Sequence, residues 1–140
     1  MSGNLIANPS FESDLAYWQA DHVSISSAFP CEGRRAASLG PDPCSLYQDV
    51  RLGPAPLGPL FLSFMVCAGI GAGDLQAEVL WLNDARAFIG TGLRILVPGG
   101  SINHFWKTIF DVTGPAPPDA AFARLSLRTG LGHAPLFRTL

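Results

Sequence analysis

The sequence predicts an all-β sandwich or jelly roll of two antiparallel sheets, and three observations lead there. About ten short segments alternate apolar and polar residues with a period of two, the mark of strands with one face buried. Loops rich in glycine and proline separate them, drawing on 15 glycines and 12 prolines. No stretch repeats its apolar residues at the spacing of an amphipathic helix. With no repeat, low-complexity tract or linker to divide it, the chain of 140 residues is expected to form one domain with a two-layer core.

Residues 4–12, NLIANPSFE, read as a short strand that turns at Asn8-Pro9. A brief aromatic segment, Leu15 to Trp18, and an alternating piece, Val23 to Ser27, come next. Ala36–Leu39 and residues 45–52 are the following strand candidates, separated by GPDP. In the second of these, Leu46, Gln48, Val50 and Leu52 share one face, and Ser45, Tyr47, Asp49 and Arg51 the other. GPAPLGP, residues 53–59, has too much proline for helix or strand.

Residues 57–82 form the apolar centre of the chain. Leu62, Phe64, Val66 and Ala68 fall on one side of a first strand, with Phe61, Ser63, Met65 and Cys67 opposite. Leu75, Ala77, Val79 and Trp81 make one side of a second, with Gln76, Glu78, Leu80 and Leu82 opposite. Both strands are expected to be central, buried on both faces or nearly so, and joined as a hairpin by the Gly-rich GIGAGD turn. That turn superficially resembles a phosphate loop, but no helix follows to supply a dipole.

NDARAF is a turn, and FIGTGLRILV a strand with a bend at Gly90 or Gly92. After the PGGSIN loop, residues 104–113 make a strand with Trp106, Thr108, Phe110 and Val112 on one face. Residues 120–129 place Ala121, Ala123, Leu125 and Leu127 inside and Phe122, Arg124, Ser126 and Arg128 on the other side. APLFRTL ends the chain as a short strand.

Only 14% of residues are charged, well below the usual quarter or so of a soluble domain. So few charges leave an apolar surface, which favours self-association. A net charge of −2 offers no basic footprint for nucleic acid, and no apolar run is long enough to span a membrane as a helix. The opening MSGNLIANPSFES lacks the basic and apolar regions of a signal peptide. The expectation is a chain that acts inside its producing cell, leaves by a non-Sec route, or has been trimmed. Among the three cysteines, Cys31 and Cys44 lie in loop-like surroundings where a disulfide would pin two strand ends in an oxidising environment. Pairing between subunits is also open, while Cys67 reads as a small buried hydrophobe.

The order of motifs N-L-I-x-N-P-S-F-E, Y-W, G-R-R-A-A-S-L, S-L-Y-Q-D-V, L-F-L-S-F-M-V-C-A, A-E-V-L-W-L-N-D-A and F-W-K-T-I-F-D-V-T resembles the galactose-binding-like jelly roll of many carbohydrate-binding modules. The resemblance covers nearly the whole chain. WLNDARAFIGTGLRILVPGG is similar, more narrowly, to the N-terminal module of repeat-containing, often collagen-like, proteins of spore-forming bacilli. It implies a spore-surface, cell-surface or extracellular setting and a fibre assembly. Such modules usually close with a strand ending like Asp-Asp-Val beside the first strand. Phe137 to Leu140 departs from that, and the departure predicts unpaired strand edges open to strand exchange.

The resemblance also implies a structural Ca²⁺ near Glu12, with Asn8 or Asp14 beside it, since calcium takes hard oxygen ligands. A plain turn acid is the competing reading. Tyr47, Glu78, Lys107, Phe122, Arg124 and Arg128, all assigned to the face opposite the core, are candidates for a glycan face or a subunit interface. Phe61 and Met65 join them as apolar residues on the second face of their strand. Trp18, Trp81 and Trp106 alternate with core residues and read as packing. His22, His104 and His133 are scattered, and no catalytic motif occurs. The sequence therefore favours a non-enzymatic, self-associating structural subunit, with a carbohydrate-binding module as the alternative.

Overall fold

The computed structural model describes residues 5–9, 11–26, 36–39, 44–53, 58–67, 74–98, 107–129 and 136–139. Among them are ten strands: β1 (Gln19–Asp21), β2 (Val23–Ser26), β3 (Ala36–Leu39), β4 (Cys44–Arg51), β5 (Phe61–Cys67), β6 (Leu75–Leu82), β7 (Phe88–Val97), β8 (Lys107–Val112), β9 (Phe122–Thr129) and β10 (Leu136–Thr139). They form two five-stranded antiparallel sheets, a front sheet in the order β1-β4-β9-β6-β7 and a back sheet in the order β2-β3-β10-β5-β8. The chain is an all-β sandwich of two antiparallel sheets, and no helix occurs among the described residues.

The alternation read from the sequence sets the core. Leu62, Phe64 and Val66 of β5 are buried against Leu75, Ala77, Val79 and Trp81 of β6 and Leu125 and Leu127 of β9. Each such large side chain withdrawn from water contributes roughly 1.5–3 kcal/mol, so this interleaved layer dominates what holds the sheets together. Phe11 and Trp18 close one end of the core, their rings stacked at 5.2 Å.

Four expectations change. β5 and β6 do not pair: β5 lies between β10 and β8 in the back sheet, β6 between β9 and β7 in the front. Residues 68–73, which hold most of the expected hairpin turn, lie outside the described residues. Residues 5–9 are not a strand. The Gln48 carboxamide accepts from Ala7 N at 2.7 Å and donates to Ala7 O at 3.0 Å, so one buried side chain stands in for a strand neighbour. Third, β10 occupies an interior position, paired with both β3 and β5. The short C-terminal strand fills the back sheet, which removes the gap that strand exchange would need there.

The fourth is β8, whose faces are reversed. Ile109 packs toward the core, while Phe110 and Val112 are exposed on the outside of the back sheet. Residues 19–21, not read as a strand, form β1 on the edge of the front sheet.

Candidate functional site

The outer surface of the front sheet carries the richest chemistry in the molecule. β4, β9 and β6 pair without slippage, so their outward residues line up in rows. Successive rows read Ser45, Arg128, Gln76; then Tyr47, Ser126, Glu78; then Asp49, Arg124, Leu80; then Arg51, Phe122, Leu82. β7 extends the rows with Leu96, Arg94, Thr91 and Phe88. Two irregularities of β7 against β6, at Val79/Leu80 and Trp81/Leu82, bring Thr91 and Arg94 both to the outside.

Two carboxylates anchor this face. Glu78 has a side chain only 4% exposed; Arg94 Nε and Nη2 lie 2.9 and 2.8 Å from its Oε2, and Arg128 Nη2 donates to Oε1 at 2.8 Å. Asp49, 8% exposed, accepts from Arg124 at both oxygens, Nε to Oδ1 at 2.6 Å and Nη2 to Oδ2 at 3.0 Å. Arg86 Nη1 lies 3.6 Å from Asp49 Oδ2. The hydrogen bond to Asp49 raises the Arg124 pKa above the ordinary arginine value, against a smaller opposing effect of burial. A buried carboxylate stripped of such partners costs about 3–5 kcal/mol, so these arginines hold the sheet surface as well as decorate it.

Aromatic rings sit under the guanidiniums. Arg124 lies 4.2 Å from the Tyr47 ring centroid, and Arg51 and Arg86 each lie 4.6 Å from that of Phe122. Arg86 reaches its place from the β6–β7 turn, where it has a left-handed φ of 63°. Asn83 holds that turn, its Oδ1 accepting from Ala85 N and Ala87 N. Ser45, Tyr47, Glu78, Leu80, Phe88, Thr91, Arg94, Arg124, Ser126 and Arg128 surround an open depression of about 390 Å³. Its walls offer guanidinium donors, hydroxyls of both polarities and the exposed ring of Phe88. Glu78 and Asp49 lie beneath these arginines and are bound by them, the reverse of what a general acid or base needs.

No protein-family model matches the sequence, and no curated protein matches it by sequence. Solved structures match by fold. Family 16 Carbohydrate Binding Module-2 superposes with a TM-score of 0.69 at 15% identity, over 98% of this chain and 98% of that one. TmCBM61, solved in complex with β-1,4-galactotriose, gives 0.65 at 16% identity over 98% and 95%. The enzymatically active domain of tailspike protein 4 of Bacteriophage CBA120 gives 0.79 at 13% identity over 96% of this chain, which spans only 20% of that one. The fold is shared with carbohydrate-binding modules. At these identities the likeness is one of fold alone.

Of the residues singled out from sequence, Tyr47, Glu78, Phe122, Arg124 and Arg128 come together on the front face. Phe122 differs from expectation in being 4% exposed, covered by Arg51 and Arg86 from other elements. Phe61 and Met65 lie on β5 in the opposite sheet, and Lys107 begins β8 on that sheet's edge, so these three are not part of the cluster. Asp49, Arg51, Arg86 and Arg94 were not singled out. Asp49 and Arg51 share the parity of Tyr47 along β4, a signal present in the alternation itself.

Asn8, Glu12 and Asp14 do share one loop. The Asn8 carboxamide, however, donates to Asp14 O and Ala16 O, both at 3.0 Å, and accepts from Ser13 N at 3.1 Å. It organises the loop, with Trp18 Nε1 donating to Asn8 O at 3.0 Å. Among the described residues, no group of three or more His, Cys, Asp or Glu is placed to hold a metal ion. Cys44 opens β4 rather than lying in a loop; it is buried, its sulfur 2.8 Å from Thr129 Oγ1. Cys31, Trp106, His104 and His133 lie outside the described residues.

Proposed function

We propose that the protein is a non-catalytic carbohydrate-binding module that holds a glycan on the outer face of its front sheet. The observation that carries this is the rows of outward hydrogen-bonding side chains around the open depression between Tyr47, Arg94 and Phe88. That arrangement suits a polyol chain, which needs donors and acceptors at intervals and a ring face to lie against. The matched structures support the reading, since they include one module solved with β-1,4-galactotriose bound.

Native affinity electrophoresis of the chain through gels containing β-1,4-galactan, xylan, mixed-linkage β-glucan or polygalacturonate tests it. Retardation in at least one gel is expected; unchanged mobility in all of them contradicts the proposal.

A second reading, a self-associating surface or fibre subunit, draws on one observation. Phe61, Phe110 and Val112 are 66%, 65% and 50% exposed on the outside of the back sheet, the two phenyl rings 6.1 Å apart. Size-exclusion chromatography with light scattering over a concentration series decides it: a second reading of this kind requires a dimer or larger, and a monomer throughout removes it.

A further inference from the structure

Resting on the reading that the front face binds glycan, the balance of charge on that face points to the class of glycan. Arg51, Arg86, Arg94, Arg124 and Arg128 stand there around the carboxylates of Glu78 and Asp49, with Asp21 and Asp74 exposed only at the Arg128 end of the face, although the whole chain carries a net charge of −2. The two signs are not equally presented. Glu78 and Asp49 are 4% and 8% exposed and already bound, whereas Arg86, Arg94 and Arg128 are 60%, 62% and 53% exposed. Solvent therefore meets guanidinium N–H groups, with the acids beneath them serving to hold the forks in place.

The charge is also grouped. Arg94 and Arg128 flank Glu78; Arg86 and Arg124 flank Asp49. Each group keeps one cation in excess. Arg124 and Arg128 stand four residues apart on β9, about 13 Å at a strand's rise, a span longer than one sugar ring. A guanidinium matches a carboxylate or ester sulfate with two parallel hydrogen bonds. Meanwhile, among the described residues, the flat apolar platform that neutral sugar rings require is scarce on this face. Trp18 and Trp81 are buried in the core, which leaves Phe88 as the exposed ring of the depression.

We propose that the front face takes an anionic polysaccharide, whose acidic groups on separated rings engage the Arg94–Arg128 and Arg86–Arg124 pairs while its hydroxyls meet Ser45, Ser126 and Thr91. Nucleic acid is the poorer fit, since a phosphate backbone selects a continuous basic footprint rather than arginines interleaved with acids on an acidic chain.

Calorimetric titration of the chain with polygalacturonate, dextran sulfate, neutral β-1,4-galactan and single-stranded DNA, at low and high salt, tests this. The double variant Arg86→Gln/Arg94→Gln is compared, because it leaves each carboxylate one guanidinium. The inference expects an acidic polysaccharide to bind more tightly than galactan, to weaken about tenfold or more as salt rises, and to weaken similarly in the variant. Preference between polygalacturonate and dextran sulfate assigns the acidic group as carboxylate or sulfate. Should the variant not fold, as judged by its melting transition, the salt dependence and the galactan comparison of the wild type decide. Galactan bound as tightly as the acidic chains, without salt dependence, overturns the inference and leaves the glycan-binding reading intact. DNA bound as tightly as the acidic polysaccharides overturns it in favour of general polyanion binding. No binding to any polysaccharide overturns the reading beneath it as well.

Discussion

A Cβ added at Gly92 would lie 2.7 Å from both Cε2 and Cζ2 of Trp81 and 2.9 Å from its Nε1, closer than side-chain carbons approach. Trp81 is 3% exposed and cannot swing away, so the missing side chain is what lets the indole pack beneath β7. Gly92→Ala is expected to lower stability by about 1–3 kcal/mol through overpacking, read as a shifted denaturation midpoint with altered tryptophan fluorescence. Gly90 is the control. Its added Cβ would meet Trp81 Cδ1 at an ordinary 3.6 Å, so Gly90→Ala should leave stability unchanged or slightly higher. A bend at one of these glycines was legible in the sequence. What was not legible is that the irregularity resets the alternation of β7, since a bulge inserts a residue without any change in composition. For that reason Thr91 and Arg94, three apart, both face outward, and simple parity did not assign Arg94 to the site.

Among the elements, β4 joins the candidate site to the N-terminal segment. Its outward residues build the site, and its inward Gln48 clamps the N-terminal segment by both polar groups of Ala7. Gln48→Ala leaves one backbone donor and one acceptor with no side-chain partner, an expected loss of about 1–3 kcal/mol. Hydrogen exchange of Ala7 should quicken far more than that of core amides such as Val79; equal changes would show that the clamp is not local. The faces of β4, β6 and β9 follow directly from alternation, because each has one face in the core. β8 misled for a physical reason. It is an edge strand with apolar residues at both parities, Ile109 inward and Phe110 and Val112 outward, so the pattern does not say which side is buried. Sheet membership was likewise hidden: a Gly-rich stretch between two apolar strands reads as a hairpin, yet β5 and β6 belong to different sheets.

Across the whole molecule, the two outer surfaces divide the chemistry. The front bears ordered arginines, hydroxyls and bound carboxylates; the back bears the apolar group of Phe61, Phe110 and Val112. Composition alone blurred this. A low charge content suggested a uniformly apolar surface and hence self-association, whereas strand register gathers four of the eight arginines on one face and Arg86 joins them from the β6–β7 turn. It joins residues far apart in sequence, 75 positions in the case of Asp49 and Arg124, which no local pattern reports. Glycan binding on the front face can be read residue by residue. The most direct measurement is backbone NMR of the ¹⁵N-labelled chain titrated with oligosaccharides of whichever polysaccharide retards it. Shift changes are expected to concentrate at Tyr47, Thr91, Arg94, Arg124, Ser126 and Arg128, with Phe61, Phe110 and Val112 unmoved. Changes centred on the β5–β8 surface, with the front face silent, would contradict it.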